Sequence, residues 1–415
     1  MKKRRVVITG LGVVAPNGIG IEEFWKANIE GKSGIDKIKS FDTSNHEIKI
    51  AGEVKNFQPL NYMSSAIANR TDRFAQLGIA AAKEAIQDSK LNLTIEDTSK
   101  IGVCIGSGLG GAPFHEEQII SIIKQGFNQA NPLCVPKVTP NSVSAYISII
   151  FNLKGPNMVI STACSSGGHG LGVACDLIKL NRADVMVSGG VEAPITPFTF
   201  VAYASMRVLS LRNDSPQKAS RPFDRNRDGF VIGEGAGILI LEELEHARKR
   251  GANIYAEIVG YGATSGAHHM VLPVKTGEDA QEAMNIAIKE ANIEIDQIDY
   301  INAHGTATQM NDISETQAIK GLFKKHAYKI PISSTKSMIG HTIGAAGAIE
   351  VIVCALAIKN SMIPPTINYE TKDPDCDLDY VPNKARKKEL NFALSNSFGF
   401  GNSNAVILIK KFLGK

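Results

Sequence analysis

Along this chain, short runs of β-branched and apolar residues alternate with longer stretches of helical periodicity. The short runs predict strands over 5–14, 100–105, 157–162, 183–188, 235–241, 254–261, 299–303, 330–334, 392–395 and 405–409. The longer stretches predict helices over 73–89, 142–151, 165–180, 277–291, 312–323 and 343–359. Alternation of the two predicts an α/β protein. The stretch 343–359 is apolar on almost every side, and a helix without a polar face is buried. The stretch 165–180 is small and apolar, and Gly167, Gly168, Gly170 and Gly172 let another backbone come close. Two central helices of this kind predict a five-layered αβαβα sandwich. A faint likeness between 159–168 and 393–401, each a strand ending in a small-residue turn, points to two related halves. No Pro- or Ser-rich linker divides the chain, so the expected unit is 3–412, with halves 3–253 and 254–412.

Composition narrows the classes. A length of 415 residues suits one large or two fused domains. Hydrophobic residues at 43% and charged residues at 21% exclude a disordered chain. A net charge of +4 gives no argument for nucleic acid. Basic clusters at 2–5, 248–250 and 384–388 read either as solvated surface or as a docking face for an acidic partner. The six cysteines form no CxxC pair, so no metal is expected. Cys104, Cys175 and Cys354 lie in apolar runs as small core residues, and the pattern suits a reducing cytoplasm. The basic start followed by 6–15 mimics a secretory signal. That apolar stretch is short, however, is interrupted at Thr9-Gly10, and reads as a first strand ending at Pro16-Asn17-Gly18. No apolar run is read as approaching the ~18 residues of a membrane span.

Four turns at predicted strand ends carry reactive residue types. In the first, Ser161-Thr162-Ala163-Cys164-Ser165-Ser166 joins a strand to a glycine-rich helix. A cysteine at a helix N-terminus is exposed to unpaired N–H groups and to the helix dipole, which favour thiolate. From the flanking residues alone, an activated nucleophile and one more buried cysteine fit equally. The second turn, Asn302-Ala303-His304-Gly305-Thr306-Ala307-Thr308, offers an imidazole and hydroxyls, and a lone His is often structural. The third brings Lys336 and His341 just before the apolar helix, which contains Glu350. A buried carboxylate needs a partner, and Lys336 is the natural one, in the site or in a purely structural pair. The fourth, Ser397-Phe398-Gly399-Phe400-Gly401-Asn402, forms either a hairpin or a mobile turn whose amides could hold an oxyanion. In parallel α/β sheets such strand ends lie on the ligand-binding edge, so one Cys, two His and a Lys converge. The Gly10-Leu11-Gly12 stretch is a poor dinucleotide site, because Pro16-Asn17-Gly18 continues a loop where a helix should begin.

Together these motifs resemble the β-ketoacyl-acyl carrier protein synthases, most closely the synthase II type. The likeness runs from Arg5-Val6-Val7-Ile8-Thr9-Gly10 to Ala405-Val406-Ile407-Leu408. It includes Thr162-Ala163-Cys164-Ser165-Ser166, Ser220-Arg221-Pro222-Phe223-Asp224-Arg225, Asp228-Gly229-Phe230, Gly233-Glu234-Gly235-Ala236-Gly237 and the other three turns. The resemblance implies a thiolase-like fold, a cytoplasmic homodimer and acyl carrier protein as partner. It implies no cofactor beyond the 4'-phosphopantetheine that arrives on the carrier. The implied activity is decarboxylative Claisen condensation in fatty acid elongation, with a type II polyketide or polyene ketosynthase as the alternative. By the same likeness Cys164 accepts the acyl group, while His304 and His341 donate to the malonyl thioester. Lys336 organises the site with Glu350, the amides of Cys164 and Phe400 form the oxyanion hole, and Phe400 gates it. Thr306 and Thr308 contact the pantetheine arm.

A thiolase would need a second reactive cysteine near Phe400, and a synthase III would lack the Lys336 and His341 motif. A chain-length-factor subunit would lack Cys164. A Cys–His hydrolase fits poorly with Lys336 and the second histidine. A non-catalytic carrier-binding module remains the non-enzyme reading. The family pattern implies an acyl pocket from Leu109, Phe198, Thr199 and Tyr203, with Cys134 lent by the other subunit. At Cys134 and Tyr203 phenylalanine is usual, and at Thr199 glycine. Unpaired hydroxyls on Thr199 and Tyr203 would favour an unsaturated or oxygen-bearing chain, whereas hydroxyls satisfied by nearby backbone would fit ordinary saturated chains. Two further departures are Asn402-Ser403 in place of Gly-Thr, and Val271 in place of Thr.

Overall fold

The computed structural model describes residues 4–414. The first residues of the basic cluster at 2–5, of the signal-like start and of the 3–412 unit lie outside the described residues. Ten strands carry the architecture: β1 Val6–Ala15, β2 Ile101–Gly106, β3 Asn157–Ile160, β4 Val185–Glu192, β5 Gly235–Glu243, β6 Ala256–Ser265, β7 Tyr300–Asn302, β8 Ile332–Ser333, β9 Phe392–Gly399 and β10 Ser403–Lys410. With a short strand at Gly18–Ile19 paired back on β1, they form an eleven-stranded sheet in the order β8-β7-β9-β10-β6-β1-β5-β4-β2-β3.

This sheet divides where β1 meets β6, over the pairs Val6 with Ile258, Val7 with Glu257 and Ile8 with Ala256 only. On one side, β1-β5-β4 are antiparallel neighbours and β4-β2-β3 parallel ones. On the other, β6-β10-β9 are antiparallel and β9-β7-β8 parallel. The two halves therefore share strand order, strand sense and chain order. Their register corrects the sequence reading: the counterpart of β3 and its turn is β8 and its turn, not the segment 393–401. The likeness between 159–168 and 393–401 reflects only that both are small-residue turns after a strand.

Six helices complete the layers: α1 Arg73–Ser89, α2 Ser142–Phe151, α3 Ser166–Lys179, α4 Glu278–Ala291, α5 Gln309–Phe323 and α6 Ala346–Asn360. Helices α1 and α2 cover the first half, and α4 and α5 lie on the second. Helices α3 and α6 touch each other and strands of both halves, so they form the central layer. Every residue of α6 from Ala346 to Ile358 is buried. The expectation that no apolar run reaches membrane-span length is corrected here. Ile343–Asn360 spans 18 residues at a hydropathy of 1.7, and 89% of it lies buried inside the protein.

Helices at Ile21–Ile29, Ala112–Gln125 and Pro197–Ser205 escaped the sequence pattern. The last has a start signal: Thr196 caps it and Pro197 opens its first turn. Among the described residues of the basic clusters, four arginines are tied down by carboxylates. Arg4 pairs with Asp184, Arg5 holds Glu257 through two bonds of 2.7 Å, Arg250 holds Glu242 and Arg386 pairs with Asp379.

Candidate active site

Strand β3 ends at Ile160, and three residues later the chain takes a left-handed step at Ala163, with φ of +52°. One 3-10 turn, Ala163–Ser165, then leads into α3. Local strain of this kind persists only where its surroundings hold it, and here hydroxyls do so. Ser166 Oγ accepts the Thr162 amide at 2.9 Å and donates to the Ala163 carbonyl at 2.6 Å, and Ser165 Oγ donates to the Thr162 carbonyl at 2.7 Å. The small polar residues around Cys164 are therefore its mounting. The turn after β9 closes over it from the other half. A Cβ on Gly399 would lie 2.7 Å from the Thr162 carbonyl oxygen and 2.8 Å from Ser165 Oγ, so only glycine allows this approach.

Cys164, His304, His341, Thr306, Thr308, Phe398, Phe400 and Tyr203 line one cavity of about 360 Å³. The two imidazoles stand 5.3 Å apart, centre to centre and nearly perpendicular. His341 Nδ1 accepts the Ile343 amide at 3.3 Å, which puts the proton of the neutral ring on Nε2. His304 Nδ1 is buried without a partner among the described residues. A buried orphan acceptor is tolerated better than an orphan N–H, so its proton also belongs on Nε2. Burial, then Lys336 and His341, hold the pKa of His304 well below the usual range, and burial and Lys336 do the same for His341. Both rings are neutral donors at neutral pH.

Lys336 lies behind them, fully buried and ion-paired with Glu350 on α6. Burial pushes the Glu350 carboxyl up to about 7 against the pull of Lys336. The Cys164 thiol departs from expectation. Burial pushes it up to about 12, outweighing the Lys336 charge and the amide N–H groups of Phe400 and Cys164 itself, all of which favour thiolate. The helix N-terminus is present, but it acts on a desolvated sulfur, so the resting group is the thiol. Both amides favour negative charge beside the sulfur, and they are the donors a carbonyl oxygen bound there would use.

The rest of the implied acyl pocket lies elsewhere. Leu109 is 43% exposed and Phe198 71% exposed, and neither they nor Cys134 and Thr199 line this cavity. The Thr199 hydroxyl is not unpaired: Thr196 Oγ donates to it at 3.0 Å, inside the first turn of Pro197–Ser205. Thr306 and Thr308 hydroxyls bond to each other at 3.0 Å, and Thr308 also caps α5.

Sequence reading missed three supports. Glu315, buried on α5, accepts the amides of His304 at 2.9 Å and Gly305 at 2.8 Å and so fixes the histidine turn. Its signal was an acid on the buried face of a helix. Glu192, at the end of β4, accepts the amides of Gly108, Leu109 and Gly344 at 2.7, 3.0 and 3.1 Å. Its signal was an acid closing an otherwise apolar strand. Asn402 donates its side-chain amide to the carbonyls of His269 and Leu272, tying the Phe400 turn to the neighbouring loop.

Comparison with known proteins places these observations. The β-ketoacyl synthase N-terminal domain model matches residues 3–247, and the β-ketoacyl synthase C-terminal domain model matches 255–370. The chain is 46% identical over 411 residues to a 3-oxoacyl-[acyl-carrier-protein] synthase 2 of Coxiella burnetii, with 99% of each chain covered. To the protein of the same name from Synechocystis it is 45% identical over 412 residues, again with 99% of each covered. Among solved structures it is similar to a type II polyketide synthase ketosynthase in complex with its acyl carrier protein and bound to the hexaketide. That match has a TM-score of 0.92 and 36% identity, covering 99% of this chain and 100% of the other.

Proposed function

The chain belongs to the β-ketoacyl synthase family, and from that premise we propose that it is a 3-oxoacyl-acyl carrier protein synthase that extends fatty acyl chains by decarboxylative condensation. The observation that carries this reading is the single cavity that Cys164 shares with two neutral imidazoles standing 5.3 Å apart. In the first step, the Cys164 sulfur attacks the carrier-bound thioester, the carrier thiol leaves, and the acyl group stays on Cys164. In the second, malonyl thioester loses CO₂, and the enolate oxygen accepts hydrogen bonds from the Nε2–H groups of His304 and His341. Neutral donors stabilise that charge without quenching it by full proton transfer. The carbanion attacks the acyl carbonyl, whose oxygen enters the hole formed by the two amides, and the Cys164 thiolate departs.

Lys336, neutralised by Glu350, is a positioning charge behind the histidines. Thr306 and Thr308 would guide the pantetheine arm, and Phe400 would act as the gate. The half 3–253 contributes the nucleophile and the half 254–412 the histidines, the lysine and the Phe400 turn. No cofactor of its own is required, since phosphopantetheine comes with the carrier. A second copy is the partner that fits the free edge of β3, the last strand of its sheet, and the exposed Ile123, Phe127, Val135 and Phe198. Such a copy could bring its own Cys134 towards Leu109, Phe198 and Thr199, and a reducing cytoplasm fits the free thiols.

The test is Cys164→Ala. Intact-mass measurement should find no acyl adduct after incubation with acyl carrier protein, and condensation should fall to background, while far-UV circular dichroism stays unchanged. Retention of the adduct would remove Cys164 as acceptor.

A further inference from the structure

Two walls of the Cys164 cavity belong to neither the sheet nor a helix. One is the turn after β9, with Phe400 and Asn402; the other is the segment 266–273 after β6, with Val271, Leu272 and Pro273. The second wall is thinly anchored. Met270 and Leu272 are exposed, and the segment is folded around its own His269 ring, whose Nδ1 accepts the amides of Val271 and Leu272 at 3.0 Å each. Firm attachment returns at Val274, whose carbonyl accepts Ser314 Oγ of α5 at 2.7 Å. Between the end of β6 and that anchor, the hydrogen bonds that the segment makes to other elements, among the described residues, all end on Gly401 or Asn402. The Gly401 amide donates to the Met270 carbonyl at 2.7 Å, and the Gly266 amide donates to the Asn402 carbonyl at 2.9 Å. The Asn402 side-chain amide supplies the other two, to the carbonyls of His269 and, at 3.1 Å, Leu272. Half of the tether is therefore one side chain.

The surroundings fit that side chain. Asn402 is buried and left-handed, with φ of +53°, a conformation that asparagine tolerates better than most residues. A Cβ on Gly266 would lie 2.8 Å from Asn402 Oδ1, so glycine at 266 leaves the amide its room. The family pattern has glycine at 402, which would keep the two backbone bonds and lose the two side-chain ones. We infer that Asn402 is a positioning residue that latches the Phe400 turn and the segment 266–273 into one lid, and so limits how often a thioester reaches Cys164. The lid is closed as the protein stands: Cys164 is buried, and the Phe400 ring packs 6.4 Å from that of Tyr203. Two hydrogen bonds from one side chain favour the closed state by roughly tenfold. The inference rests on the condensing reading only for what passes the mouth.

The experiment compares wild type with two variants of the intact enzyme. Asn402→Gly suits the left-handed backbone and removes the side chain, whereas Asn402→Asp keeps its size but has no donor. The amides of Gly266 and Gly401 keep their partners in both variants and report directly on parting of the walls. Their protection from hydrogen exchange should fall roughly tenfold in both, while the amides between β9 and β10 keep theirs. Acylation of Cys164 by hexanoyl-loaded acyl carrier protein, followed by intact mass, should gain several-fold in kcat/KM. Protection unchanged in either variant overturns the inference, and so does a loss shared by the β9 and β10 ladder, which reports general loosening. Faster exchange with unchanged acylation overturns the role in substrate entry. If hexanoyl carrier protein acylates none of the three proteins, the condensing reading falls, and hydrogen exchange alone decides the latch.

Discussion

The two halves build the same device twice and use it differently. In each, a parallel edge strand leads to a left-handed residue, Ala163 at φ +52° or Ile343 at φ +44°. A single 3-10 turn follows, Ala163–Ser165 or Ile343–Ala345, and then a long buried helix. The central residue of the turn is Cys164 in the first half and Gly344 in the second. At Gly344 the amide donates to Glu192, a carboxylate brought from the end of β4 in the opposite half. At Cys164 the incoming group, also from the opposite half, is the Phe400 amide. One helix terminus thus holds a carboxylate of the protein and the other is left open beside a thiol. A Cβ on Gly344 would lie 2.6 Å from the Glu192 carboxylate, so the second terminus has no room for a reactive side chain while Glu192 occupies it. Of two matching turns, one is used for structure and the other for chemistry.

Substitution at the two anions should separate these uses most sharply. Glu192→Ala leaves the buried Gly344 amide and the part-buried amides of Gly108 and Leu109 without their acceptor, and even partial rescue by water should leave a loss of about 3 kcal/mol. Cys164→Ala removes only a sulfur facing a cavity and should cost less than ~1 kcal/mol. Urea unfolding midpoints with equal slopes measure both, and equal losses would show that the termini are not used differently.

Next in size is an acid effect confined to the second half. His304 and His341 resist protonation in the folded protein, so below about pH 6.5 the unfolded chain binds more protons and stability falls. Above that pH their contribution is complete. The raised carboxyls of Glu192, about 6, and Glu350, about 7, act in the opposite sense, contributing most at low pH and least above 7. Comparing wild type with His304→Gln/His341→Gln isolates the histidines. Between pH 6.5 and 5.5 wild type should lose about 1 kcal/mol more per histidine than the variant. Parallel curves would mean that the rings titrate in the fold as they do in the unfolded chain.

The smallest effect is kinetic. With its thiol held near 12, Cys164 should be alkylated by iodoacetamide at a rate that keeps rising from pH 7 to 9.5. A plateau already at pH 7 would mean that the helix terminus and Lys336 outweigh burial.

The comparison also explains how much could be read beforehand. The α/β class, the buried helices and the four turns were legible because they rest on periodicity and on residue types at strand ends. Which turn mirrors which was not legible, since Gly344 and Cys164 share a backbone position and no side-chain chemistry. The pairing of Lys336 with Glu350 was inferable, because a charge in an apolar helix demands a partner. Glu192 and Glu315 were not singled out, because each acts by accepting backbone amides from segments distant in sequence. The direction of the Cys164 shift was misread for a related reason. A helix terminus can be located in the sequence, whereas the desolvation that overrides it depends on the turn from the other half.

The narrow seam between β1 and β6 has a consequence for how the chain is made. Strand β1 pairs along its length with β5, matching Val6 with Glu243 and Val14 with Ala236. During synthesis at ~5–20 residues per second, the first strand therefore waits on the order of ten seconds or more for its main neighbour. Helix α3 waits about as long, since the β9 and β10 strands that cover one of its sides are made last. Until then a nascent chain exposes an apolar strand and a glycine-rich helix, the surfaces that invite aggregation. Neither half is a self-sufficient folding unit. A chain halted near residue 250 should stay bound to chaperones rather than accumulate as a stable nucleophile-bearing fragment.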